Sequence, residues 1–299
     1  MSLRIGIDLG GTKIEVIALD EAGVTLLRQR VPTPTGNYAA TLDAVVELVH
    51  LVEGSTGLQG TVGIATPGAI SPRTGRMKNS NSTVLNGRAL DRDLESRLGR
   101  PVRMENDANC FALSEAIDGA GAAARTVFGV ILGTGVGGAV VIDRHVLIGR
   151  NRIAGEWGHN ALPFPCATDP APVPCYCGKS GCIETYLSGA GLARDFEQRT
   201  GRQIRAEEIA HAAATGDAHA KHALEGYADR LARGLASVVN LIDPDCIVLG
   251  GGLSNLAELY AVVPPLLGQY AFSDGVDTPI LRAQHGDSSG VRGAAWLWQ

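Results

Sequence analysis

Two segments of this chain share one pattern: an apolar stretch, a cluster of glycines, and a second apolar stretch. The first is "RIGIDLGGTKIEVIALD" at 4–20 and the second "TVFGVILGTGVGGAVVIDRHVLIG" at 126–149. Apolar and small or polar residues alternate around the glycines, which reads as two strands joined by a tight turn. A unit that begins the same way twice implies an internal duplication, and so two related lobes with a ligand cleft between them. In the first lobe "GVTLLRQRVPTP" adds a third strand, and "NYAATLDAVVELVHLVEGSTG" a helix that stops at Gly54 or Gly57. A buried strand "GTVGIATPGAI", a helix "ALDRDLESRLG", a strand "PVRMEND" and a helix "ANCFALSEAIDGA" follow. Three strands and then alternation predict a mixed sheet with crossover helices. In the second lobe helices are expected at about 189–199, 206–215 and 217–242. A strand with a Gly-rich exit, "DCIVLGGGLSN", and a closing helix, "GVRGAAWLW", complete it.

The boundary is expected near 118–124, in "DGAGAAA". That gives lobes of residues 1–119 and 120–286, with the closing helix, 287–299, completing the first. The fold class is α/β, with duplicated mixed-sheet domains. Composition then narrows the partners. Net charge is −5 and no basic run exceeds two residues, which argues against nucleic acid. No window holds the ~18 apolar residues of a membrane span, and no secretory leader pattern opens the chain. Both point to the cytoplasm, where clustered thiols serve as metal ligands or catalysts more often than as disulfides.

The chain holds 39 glycines, and many of them sit in three turns of one design. These are "DLGGTK" at 8–13, "LGTGVGG" at 132–138 and "LGGGLS" at 249–254. Gly10, Gly11, Gly133, Gly135, Gly137, Gly250, Gly251 and Gly252 would let backbone N–H groups converge on phosphate oxygens, with Thr12 and Thr134 adding hydroxyls. Lys13 either meets a phosphate or is a solvated strand residue. Asp8 could hold Mg²⁺ through water, since Mg²⁺ prefers carboxylates and retained waters. Each turn alone reads better as a plain hairpin turn; together, with an acid on the first, they point to ATP. None has the dinucleotide or Walker spacing. In "MENDANC", Asp107 lies where a strand ends and a helix begins, which suits an N-cap. The same position suits a general base facing the cleft, and the two roles are compatible.

The motifs "GIDLGGTK", "ENDANC", "GTGVGG", "GEWGH", "CYCGKSGCIE" and "IVLGGGLSN", in this order, resemble the ROK sugar kinases and repressors. That family lies within the actin-like ATPase superfamily, with a ribonuclease H-like fold, and the resemblance covers nearly the whole chain. "NSNSTVLNG", "GEWGHN" and "HGDSSGVRGAAWLW" are most similar to its bacterial fructokinase and mannokinase group. One departure is Ala139, where many relatives carry another glycine.

His159, sixteen residues before Cys175, joins Cys175, Cys177 and Cys182 as a closed four-ligand set that suits structural Zn²⁺. Gly178 and Gly181 let the intervening loop fold tightly. Cys175 and Cys177 are badly placed for a disulfide, and the redox C-x-x-C spacing is absent; the alternative is a reduced cluster without metal. The resemblance implies the same zinc site. It also implies that Glu156, His159 and Glu184 contact sugar hydroxyls, His159 with the ring nitrogen that zinc leaves free. By the same resemblance Asp107 is the base, Asn106 and Asn81 are sugar contacts, and "TPGAI" offers backbone at Gly68. The activity implied is ATP-dependent phosphorylation of a hexose, fructose first, making fructose 6-phosphate. N-acetylglucosamine kinase and glucokinase are the close alternatives. A sugar-responsive repressor is disfavoured, because only seven residues precede Asp8 and the chain is acidic. An intact Asp107 speaks against a catalytically dead sugar sensor. The resemblance also suggests a homodimer.

Overall fold

The computed structural model describes residues 2–299. Along the chain run strands β1 (Leu3–Leu9), β2 (Lys13–Leu19) and β3 (Thr25–Pro32), then helix α1 (Tyr38–Thr56) and strand β4 (Gly60–Thr66). A short pair, β5 (Ala69–Ile70) and β6 (Met77–Lys78), precedes α2 (Leu90–Leu98), β7 (Val102–Asn106) and α3 (Asp107–Ile117). Then come β8 (Thr126–Leu132), β9 (Val136–Ile142) and β10 (His145–Val146), and after them α4 (Ile183–Leu187), α5 (Gly189–Thr200), α6 (Ala206–Ala214) and α7 (Ala218–Ile242). Strand β11 (Cys246–Gly250), α8 (Leu259–Tyr270), β12 (Ile280–Arg282) and α9 (Ser289–Ala295) end the chain. Among the described residues no helix is long and apolar enough to cross a membrane.

The strands make two five-stranded sheets of matching order, β3-β2-β1-β4-β7 and β10-β9-β8-β11-β12. In the first, β1 pairs antiparallel with β2 and β2 with β3, while β1, β4 and β7 run parallel. In the second, β8, β11 and β12 run parallel. The α/β class and the repeated mixed sheet are therefore as the sequence pattern implied. The chain divides into two compact units. One comprises Met1–Ala122, Val141–Ala154 and Gln284–Gln299; the other comprises Ala123–Val140 and Gly155–Ala283. Each has its own apolar core, around Ile5, Ile7, Val45, Val49 and Ile64 in the first and around Phe128, Val130, Phe196, Leu231 and Leu235 in the second.

Local chemistry sets the helix ends. Asn37 caps α1 by accepting from the Ala40 N–H at 3.1 Å. The helix runs through Gly54 and stops at Gly57, whose backbone is left-handed. Asp217 caps α7, accepting from His219 and Ala220. Helix α8 is unanticipated, because Pro264 and Pro265 inside it remove two backbone donors. It persists because Leu259, Val263 and Leu267, one helical turn apart, are all buried.

Candidate functional site

In the first unit the register carries the predicted residues to one edge. Asp8 pairs with Ala65 across β1 and β4, and Ala65 with Glu105 across β4 and β7. The first glycine turn, Gly68 and the Glu105-Asn106-Asp107 run thus all follow the carboxyl ends of three adjacent parallel strands, where α/β sheets place their ligands. The turn is closed by Gly10 N–H donating to the Lys13 carbonyl at 3.1 Å. Thr33 clamps it, its hydroxyl donating to the Gly10 carbonyl at 2.7 Å and its N–H to the Thr12 carbonyl at 3.0 Å. Thr12 and Lys13 are exposed.

Burial, then the negative charges of Asp107 and Glu15, push the Asp8 carboxyl from 3.8 up to about 6. Asp107 is exposed and is the first residue of α3. The N-cap is Asn106, whose Oδ1 accepts from the Ala108 N–H at 2.9 Å, so the expected capping role belongs one residue earlier. The reason is that the strand continues through Asn106, leaving Asp107 already in helical backbone. The Asn106 amide nitrogen donates to the Gly68 carbonyl at 3.4 Å. Gly68, at φ +82°, admits no side chain: a Cβ there would lie 2.4 Å from the Lys78 carbonyl. Asn81 is exposed on the loop that follows β6, and Asn86 braces that loop with paired bonds to Ser80 at 3.0 and 2.8 Å. Glu105 holds Asn109 at 3.1 Å and Arg152 at 3.4 Å, a pairing that spacing gave no means to foresee.

The second unit brings together the other two turns. Gly250 pairs with Ile131 across parallel β11 and β8, so Gly133–Gly137 and Gly250–Gly252 leave neighbouring strand ends. Thr134 is exposed, and Gly133 accepts from the Gly189 N–H at the start of α5 at 2.8 Å. The third turn is no hairpin: beyond Gly250 the chain enters a short 3₁₀ turn, Gly252–Asn255.

The cysteine segment packs against the second turn. Glu184 Oε2 accepts from the Val136 N–H at 2.9 Å. A Cβ on Gly135 would lie 2.7 Å from the same oxygen, so only glycine lets the acid reach the turn. Trp157, buried, donates from its indole to the Gly137 carbonyl at 3.3 Å and so fixes the segment that carries Glu156 and His159. Glu156 itself is exposed.

The ligand atoms of His159, Cys175, Cys177 and Cys182 all lie within 4.8 Å of one another. Cys177 Sγ and Cys182 Sγ are 3.6 Å apart, as are Cys175 Sγ and His159 Nδ1. A tetrahedral zinc with bonds of about 2.0–2.3 Å separates its ligands by roughly 3.5–3.8 Å, so this donor set fits the ion. All six cysteines are free thiols. Buried Arg233 on α7 pins the preceding loop through Asp169, at 2.5 and 2.7 Å, and through the Phe164 carbonyl. The second ring nitrogen of His159 is engaged: Nε2 lies 2.9 Å from the Tyr176 hydroxyl. Tyr176 went unnoticed because an aromatic between two ligands has no spacing signature.

The ROK family profile matches residues 4–299. This chain belongs to the ROK family. It is 41% identical over 296 residues to an N-acetyl-D-glucosamine kinase of Photobacterium profundum, covering 98% of both chains. The same identity and coverage hold for an N-acetyl-D-glucosamine kinase of Vibrio cholerae. Among solved structures, a ROK hexokinase from Thermus thermophilus superposes with a TM-score of 0.87 at 33% identity, over 98% of this chain and 96% of that one. A ROK family glucokinase from Streptomyces griseus, in complex with glucose and AMPPNP, gives 0.78 at 30% identity, over 99% of each. The actin-like ATPase architecture expected from the motifs is therefore that of a ROK kinase.

Proposed function

We propose that this chain is an ATP-dependent sugar kinase that phosphorylates the 6-hydroxyl of N-acetyl-D-glucosamine. The observation that carries the substrate is the 41% identity, end to end, with kinases of that name. The motif resemblance put fructose first; the relatives favour the amino sugar, and fructose becomes the competing substrate. In this reading Asp107 takes the proton from the attacking hydroxyl as its oxygen bonds to the γ-phosphorus and ADP leaves. The products are sugar 6-phosphate, ADP and a proton. Asp8 holds Mg²⁺, which neutralises charge on the phosphates when bound. The three glycine turns supply backbone donors to ATP. Glu156, His159 and Glu184 accept or donate to sugar hydroxyls, with Asn81, Asn106 and the Gly68 backbone as further contacts. Zinc on His159, Cys175, Cys177 and Cys182 has the role of a clip that fixes the loop bearing Glu184. A homodimer belongs to the same reading and is checked by sedimentation.

The deciding experiment is ADP release across N-acetylglucosamine, fructose, mannose and glucose, with wild type beside Asp107→Asn. N-acetylglucosamine should give the highest kcat/KM. The variant should lose about 10²- to 10⁴-fold in kcat while its sugar affinity stays. A different leading sugar would replace the substrate assignment; an active Asp107→Asn enzyme would remove the base.

A further inference from the structure

Tyr176 stands between two zinc-ligand cysteines and is 79% exposed, yet its hydroxyl is not given over to solvent. Oη lies 2.9 Å from His159 Nε2, and the phenol ring meets the imidazole edge-on, with centroids 5.0 Å apart and planes at 88°. The other ring nitrogen, Nδ1, faces Cys175 Sγ at 3.6 Å. A histidine that presents a bare Nδ1 to a metal carries its proton on Nε2 and donates from there. The group on His159 Nε2 is thus a hydroxyl. A sugar hydroxyl bound by Glu156, His159 and Glu184 would answer the same description.

We propose that Tyr176 is a place-holder: in the sugar-free protein its hydroxyl occupies the His159 donor that a sugar hydroxyl takes on binding, and so it sets sugar affinity by competition. This rests on the sugar-kinase reading above. With 79% of the residue exposed, the ring can leave His159 for solvent without repacking the unit. A single hydrogen bond of this kind shifts an equilibrium by about two- to tenfold.

Calorimetric titration of N-acetyl-D-glucosamine into wild type and Tyr176→Phe, both checked for equal zinc content, tests the competition. The variant keeps the ring and drops the hydroxyl. Its Kd for the sugar should tighten by about two- to tenfold with kcat unchanged. An equal or weaker affinity overturns the place-holder. A second readout uses wild type alone, with ¹³C-labelled tyrosine and the Tyr176 resonance identified by its loss in the variant. Saturating sugar should move that resonance and ATP should not; a resonance unmoved by sugar refutes the displacement. A wild-type protein that binds neither amino sugar nor hexose overturns the functional reading and this inference with it. A wild type that turns sugar over, beside a Tyr176→Phe variant that binds it no more tightly, overturns this inference alone.

Discussion

Asp8 is a carboxyl whose charge its surroundings disfavour. Burial and the neighbouring acids Asp107 and Glu15 raise its carboxyl from 3.8 to about 6. The sign of the effect on folding follows from that direction. Below 3.8 the carboxyl is protonated in both the folded and unfolded chain, and it costs nothing. Between 3.8 and about 6 the unfolded chain ionises more readily, so the penalty grows as pH rises and is fully present above 6. Replacing Asp8 with Asn removes a charge that the fold disfavours. At pH 7.5 the variant should be more stable than wild type, by about 1–3 kcal/mol. If Asp8 is the proposed ligand to Mg²⁺, the variant should also have lost most of its turnover. Thermal melts with and without Mg–ATP separate the two effects: the variant starts from a higher Tm and gains less on adding nucleotide. A variant that melts lower than wild type in the absence of nucleotide would show that Asp8 is not strained by its surroundings.

At the scale of elements, α9 is anchored by a cluster of polar bonds to α3's far end. Asp118 accepts from Arg292 and Trp296 and bonds His285 at 3.0 Å, while buried Glu115 accepts from the Gln284 and His285 N–H groups and from the Ser289 hydroxyl. Burial raises the Asp118 carboxyl, but the bonds from His285 and Arg292 outweigh it and hold it below 3.8. The bond to Asp118 raises His285 above 6.5. The histidine's contribution is full below 6.5 and is lost as pH rises through the raised value. The aspartate's is full above 3.8 and is lost as pH falls through the lowered one. The clamp is therefore strongest between pH 3.8 and 6.5. Asp118→Asn should lower stability by about 1–3 kcal/mol at pH 6, and the gap to wild type should narrow by pH 8.5 as His285 loses its charge. Denaturant melts at the two pH values measure it; a gap that widens with pH would exclude the histidine. None of this clamp was legible in advance, since its partners lie roughly 170 positions apart in sequence and charge pairs at that range have no periodicity. What was legible was whatever repeats locally: the glycine-turned strands, the stop of α1 at Gly57, and the alternation along β1. Helix α8 escaped because its prolines mask a burial pattern that only tertiary packing makes decisive.

For the molecule as a whole, the duplicated sheet order follows from the two glycine-turned segments, and the His159, Cys175, Cys177 and Cys182 cluster from four residues in 24 positions. The spacing showed which residues gather, but not what they brace. That required the contact of Glu184 with Val136, which ties the cysteine loop to the second glycine turn within one unit. If zinc fixes that loop, its removal should act on sugar and nucleotide unequally. Glu156, His159 and Glu184, the proposed sugar contacts, all lie on segments that the four ligands would hold, so sugar affinity should fall by about tenfold or more, as when the outer supports of a site are lost. Of the three turns, the one at 132–138 is described in contact with the loop, through the Val136 N–H and Glu184. Nucleotide affinity should therefore fall by no more than about threefold, roughly one neutral hydrogen bond. Stripping the protein with a chelator, confirming loss of one zinc per chain by elemental analysis, and titrating each ligand separately tests this. Adding zinc back should restore sugar binding. If nucleotide affinity drops as far as sugar affinity, the loop supports more than the sugar groups. If sugar binding survives in the metal-free protein, Glu184 is held by the Val136 N–H and the packing of Trp157 alone, and the cysteines have another use.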